Sequence, residues 1–133
     1  MGLTKIILDT NAYAALLKGD QQILKLIKEA QEVILPAFVI AELLFGLKKG
    51  TQTEKNLEIL ADFESYPKVR RHYPGAETLQ IFAELMLQLR TIGRRIPTHD
   101  IWIAAISIES GGTLITYDRH FDHITGLRRW QAS

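Results

Sequence analysis

Short apolar runs rich in β-branched residues alternate with longer helical segments along this chain. Five runs have the composition of strands, at residues 5–8, 32–35, 68–73, 113–116 and 127–131. Proline and glycine residues punctuate the chain between the strand-like and helix-like segments. A regular alternation of strands and helices is typical of a parallel sheet covered by helices. The pattern therefore predicts an α/β fold.

Six segments have the periodicity or the boundaries of helices. They cover residues 11–18, 21–30, 37–47, 51–65, 76–92 and 100–110. Asp20 is expected to cap the second helix. Thr51 with Glu54 forms the pattern of a capping box at the start of the fourth. We expect Thr98 or His99 to cap the sixth helix, and residues 118–123 to form a loop or short turn.

The composition is that of an ordinary globular protein. The 133 residues suit a single domain spanning residues 1–133, and 47% of them are hydrophobic. Because no apolar stretch is long enough to cross a membrane and the N-terminus lacks the order of a signal peptide, we expect a cytoplasmic protein. The chain has no cysteine, so thiolate metal sites and disulfides are excluded. Oxygen ligands and four histidines remain as metal donors.

Four acidic residues stand at the ends or starts of apolar elements. Asp9 follows the first apolar run in LDTNAY, and Glu42 lies in the apolar string VIAELLFG. Asp100 lies in PTHDIWIAA and Asp118 in LITYDRHF. Buried carboxylates are costly unless they are paired or bound to a cation. If the fold gathers the four, their oxygens suit Mg²⁺ or Mn²⁺, and metal-assisted hydrolysis of a phosphodiester is indicated.

Each of these acids also has a structural explanation. Asp9 is well placed to cap a helix, and Asp100 in a first helical turn is favoured by the helix dipole. Asp118 could be an ordinary turn residue, and Glu42 could point to solvent. Functional groups gather beyond the carboxyl ends of strands in open parallel sheets, which favours a shared site for Asp9 and Asp118. Spacing alone leaves both explanations open.

Other titratable residues are weaker candidates. Asp122 is the acid outside the four that is best placed to join them. His99, His120 and His123 are close in sequence to these acids, but a lone histidine is more often a surface or capping residue, and no spacing typical of a zinc pair is present. The net charge of +1 does not by itself indicate nucleic-acid binding. Among four pairs of adjacent basic residues, Arg94-Arg95 is the best candidate for holding phosphates.

Taken in order, these motifs resemble a known family. LDTN near the start, AEL in an apolar helix, HDIWIAA at a helix opening and ITYDRHF near the end are similar to the PIN domain, and more narrowly to the VapC toxins of bacterial toxin–antitoxin pairs. The resemblance covers nearly the whole chain. It implies a catalytic and metal-binding quartet of Asp9, Glu42, Asp100 and Asp118.

The resemblance also implies roles for residues near the quartet. Thr10 and Asn11 line the first loop, and Thr116 supplies a hydroxyl beside the acids. Two positions differ from the common family pattern. His99 stands before Asp100, where relatives often have Asn, and Tyr117 stands before Asp118, where they often have Arg.

The fold implied by the resemblance is a three-layer α/β/α sandwich with a mostly parallel sheet, usually paired as a homodimer. The activity implied is that of an endoribonuclease that uses Mg²⁺ or Mn²⁺ and cuts tRNA, rRNA or mRNA. Lys48, Arg94 and Arg95 would then hold the RNA backbone. A cognate antitoxin protein would inhibit the enzyme by placing its C-terminal segment in the acidic groove.

Three other functions agree with parts of the sequence. A PIN fold that has lost catalysis would serve as an RNA-binding or scaffold module, although such modules often lack part of the quartet. A phosphatase with an aspartyl nucleophile usually has a second Asp where Asn11 stands. A phospho-acceptor domain normally needs a Lys after a late strand, and residues 113–118 contain none.

Overall fold

A five-stranded parallel sheet forms the centre of the structure, a computed structural model that describes residues 3–130. The strands lie in the order β3-β2-β1-β4-β5. Their bounds are β1 Lys5–Leu8, β2 Glu32–Pro36, β3 Val69–His72, β4 Thr113–Ile115 and β5 Arg129–Trp130. Every pairing between neighbouring strands is parallel. All five strands predicted from the sequence are present, although the last one was expected to reach Gln131, which lies outside the described residues.

The sheet is buried on both faces, as its apolar strands require. Ile6, Ile7 and Leu8 of β1 are all inaccessible to solvent. Because side chains alternate along a strand, Ile7 belongs to one hydrophobic core while Ile6 and Leu8 belong to another. Fully burying a side chain of this size contributes about 1.5–3 kcal/mol. The two cores make the molecule a three-layer α/β/α sandwich, which confirms the predicted fold class.

Six α-helices cover the two faces of the sheet within residues 3–130. Their bounds are α1 Thr10–Leu17, α2 Gln21–Glu29, α3 Ala37–Lys49, α4 Thr53–Glu64, α5 Ala76–Thr91 and α6 Thr98–Ser110. A 3₁₀ turn covers Arg119–His123. Helices α5 and α6 pack on the face that carries Ile7, and α1, α2 and α4 pack on the face that carries Ile6. No helix among the described residues combines the length and hydropathy of a membrane span.

Helix caps follow the sequence at α2 but differ from it at α4 and α6. Asp20 caps α2 as predicted, by accepting a hydrogen bond from the Ile23 amide. The predicted capping box at α4 is wrong, because the helix begins at Thr53 and its N-cap makes no side-chain bond. The Thr53 hydroxyl donates instead to the Leu47 carbonyl, at the end of α3.

The start of α6 also differs from the prediction. The helix begins at Thr98, directly after Pro97, and no side chain caps it. Pro97 fixes the backbone at this entry, and its carbonyl accepts from the Asp100 and Ile101 amides. Asp100 is therefore in the first turn of α6, at the same end of the molecule as the carboxyl ends of β1 and β4.

Candidate active site

All four predicted acids line one cavity beyond the carboxyl ends of β1 and β4. The cavity has a volume of about 240 Å³. Asp9 follows β1, Glu42 comes from α3, Asp100 from the start of α6, and Asp118 from the loop after β4. Thr10 and Asn11 line the same cavity, together with Pro97, His99 and His120. The fold therefore gathers acids that are up to 109 positions apart in the chain, from Asp9 to Asp118.

Asp9 is the most deeply placed of the four carboxylates. It is only 4% exposed. One oxygen accepts from the Ala12 amide at 2.8 Å and so caps α1, while the other accepts from the Thr116 hydroxyl. Burial raises the pKa of Asp9 above its ordinary value, against the effect of these two hydrogen bonds, and the charges of Asp100 and Asp118 raise it further. Asp9 therefore caps α1 and also lies among the clustered acids, so both explanations that the sequence allowed are correct for it.

Thr116 connects the two strand ends. Its hydroxyl donates to Asp9 and accepts from the Asp118 amide at 2.9 Å. The side chain is buried, so both hydrogen bonds are shielded from water. This places Thr116 as the group that fixes the orientation of the Asp9 carboxylate and the backbone of Asp118 together.

Glu42 is held on the opposite wall of the cavity. The Thr10 hydroxyl donates to Glu42 Oε1 at 2.5 Å, and His99 Nε2 lies 3.2 Å from Glu42 Oε2. Thr10 is the first residue of α1 and immediately follows Asp9. One short segment therefore supplies a carboxylate and also orients a second carboxylate from α3.

Two histidines that sequence reasoning set aside lie in the cavity. His120 Nδ1 lies 2.9 Å from Asp118 Oδ1, and His120 Nε2 lies 2.7 Å from Asp100 Oδ2. The Nε2 atom is buried and makes no well-aligned hydrogen bond with the described residues. His99 Nε2 lies 3.3 Å from Asp100 Oδ1. The available signal was their adjacency to the acids, in HD and DRH, which accounts for the contacts His99–Asp100 and His120–Asp118. The contacts His99–Glu42 and His120–Asp100 join residues that only the tertiary fold brings together.

Asp100 lies at the centre of these contacts. Its side chain is mostly buried, and this burial raises the pKa of its carboxyl above the ordinary value. The neighbouring His99 and His120 act in the opposite direction, and the Asp118 carboxylate raises the pKa again. Clustered carboxylates of this kind repel one another unless a positive charge lies among them.

The donor set fits a divalent cation. Asp100, Asp118 and His120 can each offer one ligand atom within 4.8 Å of the others. Carboxylate oxygens are the ligands that Mg²⁺ and Mn²⁺ prefer, and an imidazole nitrogen is better suited to a transition metal than to Mg²⁺. The buried Nε2 of His120, which lies 2.7 Å from Asp100 Oδ2 without a well-aligned hydrogen bond among the described residues, is consistent with a nitrogen that binds a cation beside this carboxylate.

Asp122 does not join the acid cavity. Its carboxylate pairs with Arg129, and Arg119 Nε lies 3.8 Å from its second oxygen. These three residues line a neighbouring cavity instead. The prediction that Asp122 is best placed to join the four acids is wrong, because its side chain is drawn to Arg129 of β5.

The basic residues predicted to hold RNA lie outside the acid cavity. Arg94 and Arg95 line a separate cavity of about 410 Å³, together with Arg90 of α5. Ile96 lies in the wall of that cavity and Pro97 in the wall of the acid cavity, so consecutive residues connect the two. Lys48 is exposed in the last turn of α3.

The sequence matches the family profile of the PIN domain over residues 6–127. The chain belongs to the PIN domain family. The match includes all four acids of the cavity and excludes only the ends of the chain.

Named relatives within the family are VapC proteins. The chain is 31% identical over 124 residues to ribonuclease VapC1 of Rickettsia felis, and the match covers 92% of each protein. It is 28% identical over 120 residues to ribonuclease VapC5 of Mycobacterium tuberculosis, with 90% of this chain and 87% of that protein covered. The resemblance to PIN domains of the VapC type is thereby confirmed.

Solved structures of VapC proteins have the same fold. VapBC2 from Rickettsia felis, bound to a DNA fragment from its promoter, matches with a TM-score of 0.83 at 26% identity, over 96% of this chain and 100% of that one. VapBC-1 from nontypeable Haemophilus influenzae matches with a TM-score of 0.85 at 22% identity, over 96% and 98%. Both solved structures are of toxin–antitoxin complexes.

Proposed function

We propose that this protein is a toxin endoribonuclease that hydrolyses RNA phosphodiester bonds with Mg²⁺ or Mn²⁺ bound in the acid cavity. The observation that carries the proposal is the meeting of Asp9, Glu42, Asp100 and Asp118 in one cavity. Capping of α1 explains Asp9 alone, whereas the gathering of four carboxylates from four elements around a small cavity opposes folding through their repulsion. The names of the relatives as ribonucleases support the choice of RNA as substrate.

The residues have distinct roles in this proposal. Asp9, Glu42 and Asp100 hold a metal ion, and Asp118 helps to hold a second ion or positions a water molecule. A bound metal would lower the pKa of a water ligand and neutralise charge that grows on the phosphate. Thr116 and Thr10 orient the Asp9 and Glu42 carboxylates through their hydroxyls. His120 offers a nitrogen ligand between Asp100 and Asp118.

Electrostatics makes the cavity dependent on cations. Without a cation, the four acids repel the phosphates of RNA. Metal binding reverses this local charge, and Arg94, Arg95 and Lys48 can then hold the RNA backbone beside the cavity. Their positions outside the cavity suit contacts to phosphates that flank the scissile one.

We also propose an antitoxin partner and a homodimer. The matching structures contain the antitoxin VapB beside VapC, and a basic side chain from such a partner would be attracted to the acid cavity. Helix α5 presents exposed Leu79 and Leu87, which a second copy of the chain would cover. Because its proposed substrates are cellular RNAs, we place the protein in the cytoplasm.

The proposal is tested by incubating the purified, antitoxin-free protein with total RNA and a tRNA pool. Reactions contain Mg²⁺, Mn²⁺ or EDTA, and wild-type protein is compared with Asp100→Asn. The matched control is Asp62→Asn, an exposed aspartate of α4 outside the cavity. We expect cleavage that needs metal, is lost in Asp100→Asn and is retained in Asp62→Asn.

Two results would contradict this function. Cleavage that survives EDTA or Asp100→Asn would point to a contaminating nuclease or to a different site. Binding of RNA without cleavage by the metal-loaded protein would favour the alternative, a catalytically silent PIN-fold module that binds RNA or acts as a scaffold.

A further inference from the structure

A second cavity lies directly beside the acid cavity, on the other side of Asp118. It has a volume of about 280 Å³. Its lining comes from the loop after β4, the 3₁₀ turn and β5, and consists of Thr116, Tyr117, Asp118, Arg119, Asp122, Arg129 and Trp130. Asp118 lines both cavities, so a group bound in the second one lies next to a group bound at the acids.

Two aromatic rings form one side of this second cavity. Tyr117 and Trp130 pack edge to face with ring centroids 5.7 Å apart. The Tyr117 hydroxyl donates to Asp20 Oδ2 at 2.5 Å, which anchors the ring to the start of α2. Even so, Tyr117 is 41% exposed. An aromatic ring that is held in place and still open to solvent is a ready surface for stacking another flat ring.

The polar side of the cavity is balanced in charge. Asp122 pairs with Arg129, and the nearby Arg119 side chain is 93% exposed. With Asp118, the lining contains two carboxylates and two guanidinium groups. A phosphate would meet two negative groups here, whereas a neutral ring with donors and acceptors on its edge would find partners of both kinds.

We propose that this cavity binds one unstacked base of single-stranded RNA, next to the phosphate that the acids would cleave. Tyr117 stacks on the face of the base, and the Asp122–Arg129 pair contacts its edge. Recognition of splayed bases by aromatic stacking and edge hydrogen bonds is the usual means of reading single-stranded RNA. The volume, below that of pockets for drug-sized molecules, suits a single ring system.

The assignment deepens the proposed ribonuclease function and makes Tyr117 a residue that determines specificity. It predicts that cleavage depends on the identity of one base beside the cut. It also gives a chemical consequence to the presence of Tyr117 at this position, since an arginine there would add a positive charge that attracts phosphate, whereas the tyrosine ring is neutral.

The binding test uses Trp130 fluorescence and needs no cleavage. The chain has two tryptophans, so Trp102→Phe leaves Trp130 as the single reporter. This protein is titrated separately with adenosine, guanosine, cytidine, uridine, ribose 5-phosphate and inorganic phosphate. We expect at least one nucleoside to change the emission saturably and both phosphate probes to have no such effect. Circular dichroism melting checks that the variants are folded.

Variants at Tyr117 test the stacking contact. In the same background, Tyr117→Ala is expected to weaken nucleoside binding about tenfold, which is within the range of base stacking on an aromatic ring. Tyr117→Phe keeps the ring and should retain most of the affinity. The matched control is Tyr66→Ala, because Tyr66 is exposed and lies outside this cavity.

Three outcomes would overturn the base subsite. One is the absence of any nucleoside effect on Trp130, and another is an equal effect of ribose 5-phosphate, which would make this a phosphate site. The third is stronger competition by a phenylalanine- or tyrosine-containing peptide than by nucleosides, which would assign the cavity to a protein partner.

A cleavage assay separates this inference from the proposed function. If the wild-type protein does not cut RNA, the ribonuclease proposal fails while the nucleoside titration still decides whether a base binds here. If it does cut, Tyr117→Ala should raise KM more than it lowers kcat and relax the base preference beside the cut. An unchanged KM and an unchanged set of cut sites would contradict the subsite.

Discussion

The starts of α1 and α2 use the same residue type for the same local task and differ in burial and in charged neighbours. Asp9 accepts from the Ala12 amide and Asp20 from the Ile23 amide, so each aspartate caps its helix. Each also accepts from one hydroxyl, that of Thr116 or of Tyr117. Burial raises the pKa of Asp9, whereas the Tyr117 hydrogen bond and the helix amides lower the pKa of the half-buried Asp20. The comparison teaches that a capping motif becomes a site only when the fold buries it beside other acids.

Of the effects expected from substitutions at Asp9 and Asp20, the difference in the rate of RNA cleavage should be the largest. We expect Asp9→Asn to lower kcat/KM by on the order of 10³-fold or more, because it removes a carboxylate that holds the metal. Asp20→Asn should stay close to wild type, since the amide oxygen still accepts from the Ile23 amide and the new NH2 group can donate to the Tyr117 hydroxyl. The measurement is the initial rate of RNA cleavage with Mn²⁺. Equal losses in the two variants would mean that capping, and not chemistry, explains Asp9.

Removal of the hydroxyl partner of Asp9 should have the next largest effect. Thr116→Val keeps the shape of the side chain and is expected to reduce cleavage about 10- to 100-fold, as for other groups that orient metal ligands. The matched control is Thr91→Val, because the exposed Thr91 hydroxyl donates to the Leu87 carbonyl of its own helix, α5, outside the cavity. Full activity in Thr116→Val would show that the hydroxyl does not orient Asp9.

Metal binding should stabilise the protein through Asp9 and not through Asp20. A ligand present at 100 times its Kd stabilises the folded state by about 2.7 kcal/mol. We therefore expect Mn²⁺ to raise the Tm of the wild type and of Asp20→Asn, but not that of Asp9→Asn. His120→Ala should reduce the shift with Mn²⁺ more than the shift with Mg²⁺, because imidazole favours the transition metal. An equal shift in all four proteins would indicate binding elsewhere.

The pH dependence of stability should have opposite signs at the two caps. In metal-free protein, the raised pKa of Asp9 means that the folded state holds more protons than the unfolded state between 3.8 and the raised value. Stability therefore falls as pH rises through that window, and Asp9→Asn should reduce the fall. The pKa of Asp100 is raised too, so part of the fall remains.

At Asp20 the sign is reversed. Its pKa is lowered below 3.8, so the unfolded state holds more protons in the window below that value. Stability should rise with pH there, and Asp20→Asn should remove this small rise. Urea unfolding between about pH 3 and pH 6 measures both slopes. The same sign of change in both variants would contradict the assignment.

Local sequence patterns predicted the strands, the helices and the edge of the sheet at which the acids lie. The alternation of Ile6, Ile7 and Leu8 gives a strand with two buried faces, and an acid after such a strand falls at the carboxyl edge of the sheet. These inferences succeed because they depend on neighbouring residues. Asp9 shows the limit of such inferences, since the residues around it fit a plain helix cap equally well.

The features that sequence reasoning missed depend on contacts across the fold. His120 lies between Asp100 and Asp118, and its distance to Asp100 is set by the packing of α6 against the sheet. Asp122 turned away from the acids because Arg129 of β5 lies close to it. The Thr51–Glu54 capping box does not form, and the Thr53 hydroxyl donates instead to a carbonyl at the end of α3. Each of these contacts joins two different elements, so the periodicity or capping pattern of one element does not reveal it.

The order of the strands has a consequence for when the acid cavity can form during synthesis of the chain. Strand β1 is made early but lies between β2 and β4, and the bond from Thr116 to Asp9 spans 107 positions. Such long-range pairings form late because the intervening chain must first be closed into a loop. A nascent chain on the ribosome lacks the acid cavity until the loop that carries Thr116 and Asp118 has emerged. Throughout the synthesis of the segment between β1 and that loop, Asp9 is therefore without the other residues that complete the cavity.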